Sequence, residues 1–231
     1  MTTKKSTTKN PTAKNAIPKK LIPKKLIPKK KNVWRENIEA IVIAIVIAMF
    51  IRTFIVQAFK IPSGSMLETL QIGDQILVNK FIYGVKIPFT NGKTLVSVKD
   101  PEREDIVVFK YPEDPSKDFI KRVMAVGGDT LEIINKQLYI NDKLITREPY
   151  AIHRDNRIIP GNFSTRDNLK KITIPDNKLF VMGDNRDNSH DSRFWGFVDL
   201  TEVKGEAFMI YWSWNKEAFG VRWKRLGNLL F

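Results

Sequence analysis

The pattern of apolar and polar positions divides the 231-residue chain into three unlike stretches. From Val33 the chain reads "VWRENIEAIVIAIVIAMFI", ending at Ile51, and after Glu39 its apolar residues fall on every side of a 3.6-residue period. A helix of a soluble domain keeps one polar face. This one keeps none past its first two turns, so the pattern predicts a helix suited to an apolar solvent. Nineteen residues rise about 28 Å, close to the hydrocarbon thickness of a bilayer. Arg35, Glu36 and Glu39 then fall in one headgroup layer beside Trp34, and Arg52 marks the far edge.

Beyond Arg52 the period changes to two. "QILVNKFIYG" (75–84), "EDIVVFKYP" (104–112), "DFIKRVMAVGG" (118–128) and "KLFVMGD" (178–184) are short, rich in Val, Ile and Phe, and closed by Gly, Pro or Asp. "LEIINKQLYINDKLI" (131–145) predicts a pair of hairpins turning near Asn135–Lys136 and Asn141–Asp142. Residues 146–175 are polar and irregular, which suits an insertion or long loop. Near the C-terminus, "MIYWSWNKEAFGVRWKRLG" brings Trp212, Trp214, Phe219 and Trp223 close together, either for core packing or for contact with a bilayer surface. The expectation is a mostly β, antiparallel domain over 52–231 with few helices, carried on one transmembrane anchor at 33–51.

Ahead of the anchor, residues 1–32 hold the repeat "AIPKK", "LIPKK", "LIPKK". Proline at every fifth position blocks a continuous helix, and paired lysines repel, so an extended, solvated, disordered tail is expected. Charge sharpens this picture. Of the net +14, residues 1–35 carry +12, from eleven Lys and one Arg with no acid, leaving +2 for the other 196 residues. A near-neutral domain therefore bears a basic tail suited to anionic lipid headgroups. No aromatic residue interleaves with these charges before Trp34, which argues against a nucleic-acid partner.

The basic region is too long for a cleaved leader, and Arg52, Phe54 and Ile55 follow the apolar run in place of a small-x-small site. Positive charge before an uncleaved anchor holds the N-terminus in the cytoplasm and puts 52–231 outside the plasma membrane. The chain has no cysteine, which excludes disulfides, thiolate metal sites and a cysteine nucleophile. Two histidines are a poor basis for a metal site, and no cofactor is implied.

About ten residues past the anchor comes "PSGSM" (62–66), with two serines one glycine apart. Such a stretch makes an ordinary surface turn, unless a base stands ready to take a serine proton. His190, beside Asp191, is one candidate. Adjacent residues in extended chain point to opposite sides, however, so Asp191 is badly placed to orient it. A lysine is the other, and it must be desolvated, because an ordinary lysine of pKa about 10.4 is neutral in only about four molecules per ten thousand at pH 7. Alternation over 118–126 puts Lys121 on a face with Phe119, Val123 and Ala125, and Ile120, Arg122 and Met124 on the other. Lys121 thus either sits buried as a base of pKa near about 8 or snorkels from a strand edge. In "GDNRDNSHDSRFWGFV" (183–198), Asp184, Arg186, Asp191 and Arg193 can pair into a rigid scaffold.

Taken in order, "IPSGSM" (61–66), "GDQILVNK" (73–80), "FIKRV" (119–123), "GDNRDNSHDSRFWGFV" (183–198) and the closing "RWKRLG" (222–227) resemble the boxes of bacterial type I signal peptidases. The resemblance covers 33–231 and leaves the lysine-proline tail outside. It implies an antiparallel β-sheet catalytic domain of that type, and a Ser-Lys dyad that removes leader peptides from exported preproteins at the outer face of the plasma membrane. Ser65 then matches the nucleophile, Lys121 the general base, and Ser63 the serine whose hydroxyl joins the Ser65 N–H in an oxyanion hole.

Ser189 matches the serine that hydrogen-bonds the lysine. Asp191 matches the carboxylate braced by an arginine, here Arg193, and Gly183 the glycine that leaves room beside the lysine. Ile61, Pro62, Met66, Leu70 and Ile120 are similar to residues that shape shallow pockets for small side chains at −1 and −3 of the leader. Specificity would then be steric. Implied partners are preprotein signal peptides, the lipid bilayer and the protein-export machinery. Glu68 stands where many relatives have proline, and the histidine at 190 fills a variable position. The residue three after Ser65 is Glu68 and not lysine, which sets the chain apart from penicillin-binding Ser-Lys hydrolases. An anchored relative without activity, acting as a scaffold, is the other class that this pattern allows.

Overall fold

The computed structural model describes residues 1–3, 33–84 and 98–230; the repeat tail from residue 4 to 32 lies outside them. The chain divides into two units, Met1–Val42 and Ile43–Phe231. One helix, α1 (Val33–Phe54), is exposed on every face from Trp34 to Arg52. Among the described residues no helix is long and apolar enough to cross a membrane. Arg35, Glu36, Glu39 and Arg52 confine the uncharged part of α1 to Ala40–Ile51, about 18 Å of rise.

The rest of the second unit is mostly antiparallel β-structure. Its large sheet runs in the order β1 (Val56–Lys60), β2 (Asp74–Asn79), β11 (Val203–Asn215), β3 (Ile106–Tyr111), β4 (Asp114–Val126), β9 (Lys178–Met182) and β10 (Val198–Asp199), with β12 (Gly220–Val221) paired to β11. A smaller sheet runs β7 (Lys143–Leu144), β6 (Gln137–Ile140), β5 (Thr130–Ile134), β8 (Leu169–Thr173). Both hairpins of the smaller sheet turn where expected. Asn135 and Lys136, then Asn141 and Asp142, all take positive φ, as two-residue turns matched to strand twist require.

Period two has its expected consequence in β3 and in β4 as far as Val123; beyond it a register shift against β9 puts Met124 and Ala125 in one cluster. Ile106 and Val108 join a cluster with Ile61, Met66, Leu70 and Ile76 on one face of the large sheet, with Ile120 packed against it. Val107, Phe109 and Val123 join Val181 and Val198 on the other, with Phe119 and Trp195 packed alongside. Besides the two-residue β10 and β12, three strands escape the pattern. Leu169–Thr173, within the segment read as irregular, is strand β8; a register shift against β5 sets its half-buried Leu169 and Ile172 three residues apart, which hides the alternation. Strand β11 carries shifts after Val203, Ala207 and Ile210 for the same reason, and β1 merges with the apolar end of α1. The C-terminal aromatics do not pack as a core: Phe219 is 84% and Trp223 73% exposed.

Two features of this fold position the site. The segment between β1 and β2 is pinched at its neck, where the Ile61 N–H donates to the Asp74 carbonyl (2.9 Å) and the Gly73 N–H to the Ile61 carbonyl (3.1 Å). Met66 and Leu70 are buried beneath it, so the serine-bearing turn is held at the surface. The second feature is the length of β4. It pairs with β9 only over Arg122–Val126, so the edge before Arg122 on that side has no strand partner among the described residues.

Candidate active site

Ser65 sits on the turn of the pinched segment, and Lys121 reaches it from β4. The Lys121 Nζ lies 2.7 Å from Ser65 Oγ and donates to the Ile120 carbonyl at 3.0 Å. Lys121 is only 4% exposed, on the apolar face that alternation assigned to it, with Nζ 5.3 Å from the centre of the Phe119 ring. Burial therefore lowers its pKa to about 8, against the pull of the Asp191 and Asp184 carboxylates, which raise it, while Arg193 lowers it further. At neutral pH roughly a tenth of such lysines carry a free lone pair, against about four in ten thousand for an ordinary one. Ser63 Oγ stands 3.5 Å from Ser65 Oγ. Around this pair opens a cleft of about 460 Å³, lined by Pro62, Ser65, Ile120, Lys121, Asn185 and His190 among others.

Behind the pair stands a buried ionic frame. Arg193 donates from Nε and Nη2 to the Asp191 carboxylate (2.9 and 2.8 Å), and the Gly183 N–H donates to Asp191 Oδ2 (3.0 Å). Burial alone would raise the Asp191 pKa; the Arg193 charge and hydrogen bonds win and hold it below the usual carboxylate range. Asp191 also caps the short helix α2 (Ser192–Trp195) by accepting from the Arg193 N–H. The scaffold differs from the expected one in its other half. Asp184 pairs with Arg122 (2.9 and 2.8 Å), and Arg186 pairs with Glu148. Arg122 points away from Lys121, as alternation requires, and so an arginine from outside the expected scaffold takes the Asp184 carboxylate.

A nucleophile-sized hydroxyl against a desolvated lysine, in a cleft, is an arrangement for acyl transfer. A family model described as "Signal peptidase, peptidase S26" matches residues 34–212. The chain belongs to this family. Signal peptidase I of Pseudomonas aeruginosa is 37% identical over 196 residues, 73% of this chain and 69% of its own length. Signal peptidase I of Aquifex aeolicus is 35% identical over 229 residues, 78% of this chain and 84% of its own. A signal peptidase I crystal structure from Enterococcus faecalis is 30% identical and covers 48% of this chain and 98% of its own, at a TM-score of 0.38, too loose to bear on the fold.

Set against the signal peptidase pattern, the structure brings Ser63, Ser65, Lys121, Gly183, Asp191 and Arg193 together and departs from two other expectations. Ser189 makes no hydrogen bond to Lys121. Its buried hydroxyl helps hold the Asp191 carboxyl down, yet it finds no partner of good geometry among the described residues. It packs against Gly183, where a Cβ would lie 2.2 Å from Ser189 Oγ and 2.4 Å from the Ser65 carbonyl oxygen. The missing Cβ of Gly183 thus makes room for these two groups. Second, Pro62 and Ile120 line the cleft, whereas Ile61, Met66 and Leu70 are core residues that shape it from behind, through Ile120.

His190 takes no part in a triad: it meets the Tyr111 hydroxyl through Nε2 (3.2 Å) and stacks on Phe194. Asn185 was not foreseen. It is buried, lines the cleft, and donates to two consecutive carbonyls of the serine turn. The only advance signal was its place inside "GDNRDN".

Proposed function

We propose that this signal peptidase cleaves leader peptides from exported preproteins with Ser65 as nucleophile and Lys121 as general base. The observation that carries the reading is the 2.7 Å approach of a buried Lys121 Nζ to Ser65 Oγ. Ser65 Oγ attacks the carbonyl carbon of the −1 residue as Lys121 takes the hydroxyl proton. The Ser63 hydroxyl and the Ser65 N–H donate to the oxyanion that forms. The tetrahedral adduct expels the amine of the mature chain, protonated by Lys121. Water, activated by the same lysine, then releases the leader from its ester with Ser65.

The unpartnered edge of β4, whose Asp118, Phe119, Ile120 and Lys121 all line the cleft, supports binding of the leader as an added antiparallel strand. Alternate side chains at −1 and −3 would then face the Ile120 side, where buried Ile61 and Met66 leave space only for small groups. Ser189, next to both Gly183 and Asp191, acts in this reading through the carboxylate, which in turn biases the lysine charge.

The exposed apolar stretch of α1 supports a membrane anchor whose charged ends snorkel to the headgroups. Twelve positive charges before it favour a cytoplasmic N-terminus, with the tail against anionic lipid and the cleft on the outer side. Exposed Trp214, Phe219 and Trp223 suit contact with the bilayer surface. The test is cleavage of a preprotein with an Ala-x-Ala site. Ser65→Ala and Lys121→Ala are expected to leave it intact; cleavage by Lys121→Ala at the wild-type rate overturns the dyad.

A further inference from the structure

Asn185 stands at the centre of a set of contacts that the dyad itself does not use. Its backbone N–H donates to the Ser65 carbonyl at 3.0 Å, and its side-chain Nδ2 donates to the Gly64 carbonyl at 3.0 Å. The Gly64 carbonyl also accepts a longer bond from the Leu67 N–H, 3.3 Å. The orientation of the Asn185 amide follows from its partner, because a flipped amide would set Oδ1 against a carbonyl oxygen, acceptor to acceptor.

The Gly64 carbonyl and the Ser65 N–H belong to one peptide unit. That unit is planar and trans, so its C=O and N–H point in opposite directions. A group that fixes the carbonyl therefore aims the N–H. Among the described residues nothing accepts a hydrogen bond from the Ser65 N–H. It is left for a ligand. We propose that Asn185 is a positioning residue that turns the Gly64–Ser65 peptide so that its N–H meets the developing oxyanion. This rests on the reading that Ser65 attacks a peptide carbonyl.

The surroundings make Asn185 a stiff lever. Its neighbours are tied to Ile152 on both sides: the Ile152 N–H donates to the Asp184 carbonyl (2.8 Å), and the Arg186 N–H donates to the Ile152 carbonyl (3.0 Å). The Asp184 and Arg186 side chains are themselves locked in ion pairs with Arg122 and Glu148. The bare Cα of Gly183 lets the Ser65 carbonyl come close enough to accept from Asn185. An oxyanion donor is effective in proportion to how little it must reorganise, and this chain of contacts removes that freedom in advance.

The experiment uses the full chain in detergent micelles. It measures kcat and KM on an Ala-x-Ala preprotein from about pH 6 to 10, together with affinity for a peptide aldehyde ending at −1, which forms a tetrahedral adduct with a serine. For Asn185→Ala, kcat and aldehyde affinity are expected to fall together by about 30-fold, with KM within about twofold and the apparent pKa of the profile unchanged. Asn185→Asp, which keeps the size but faces the Gly64 carbonyl with a carboxylate, is expected to lose more. If Asn185→Ala fails to fold, this isosteric variant decides on kcat and aldehyde affinity, each compared with wild type at the plateau of its own pH profile, because its carboxylate shifts that profile by itself. Wild-type kcat and aldehyde affinity in a folded variant overturn the proposal. So does an Asn185→Ala variant in which KM and the pH profile shift along with kcat, the mark of general disruption. A wild-type enzyme that leaves the preprotein uncut overturns the peptidase reading as well, whereas one that cuts while its variants match it overturns this proposal alone.

Discussion

Arg193 grips Asp191 through two parallel hydrogen bonds, Nε to Oδ1 and Nη2 to Oδ2, with both residues almost wholly buried. A buried pair of this kind contributes modestly as a pair, but removing one partner strands the other's charge. Asp191→Ala should therefore destabilise the domain by about 3–5 kcal/mol, a fall in Tm of roughly 10 °C or more at this size. Thermal unfolding at neutral pH checks it. A shift of a degree or two would mean that Arg193 finds another acceptor.

In the proposed dyad, Lys121 must shed its proton before it can accept one from Ser65. With its pKa lowered to about 8, kcat/KM should rise with pH through an apparent pKa near that value. Initial rates on a preprotein across the neutral to alkaline range check this. A rate already flat well below neutrality would show a base other than Lys121.

The same burial has a stability consequence of definite sign. The folded-state pKa of Lys121 is depressed from the ordinary 10.5 to about 8. Between those values the unfolded chain holds more protons than the folded one, so stability from this group rises with pH across that window. Below about pH 8 the charged amine is a full burden of about 3 kcal/mol. Lys121→Met should thus be more stable than wild type by up to that amount at neutral pH, with the gap closing toward pH 10.5. Denaturant melts at the two ends of the window measure it; a pH-independent gap contradicts the desolvated lysine.

Gly183 faces two groups that a methyl would strike, the Ser189 hydroxyl and the Ser65 carbonyl. Gly183→Ala should lower kcat by about a hundredfold through displacement of Ser65. In the Gly183→Ala background, Ser189→Gly should recover part of the lost stability, because it relieves one contact, but little activity, because the other persists. Tm and kcat on the single and double variants separate the two effects.

Much of the site could be read from local pattern. Period two in β4 assigned Lys121 to an apolar face with Phe119 and Val123, and the structure buries it there. Asparagine-rich pairs at 135–136 and 141–142 marked both hairpin turns. What could not be read were relationships across the chain. Alternation says which way Arg122 points but not that Asp184, 62 residues away, waits there. Nor does it say that Arg186 would turn to Glu148. Asn185 serves residues about 120 positions earlier, and nothing in its neighbourhood encodes that. Bulges in β8 and β11 erased the alternation that would have revealed those strands. Ile61, Met66 and Leu70 were expected at pocket walls because a pocket residue and the core residue behind it look alike in sequence.

Under the proposed strand-addition mode, the incomplete pairing of β4 with β9 sets a limit on what this enzyme can damage. A seam that is read by backbone hydrogen bonds admits only a polypeptide whose own amides are still uncommitted. Small residues at the right spacing inside a finished helix or sheet have already committed theirs, so they cannot enter. The enzyme would thus tell newly exported chains from mature neighbours by the state of their main chain before any side chain is inspected.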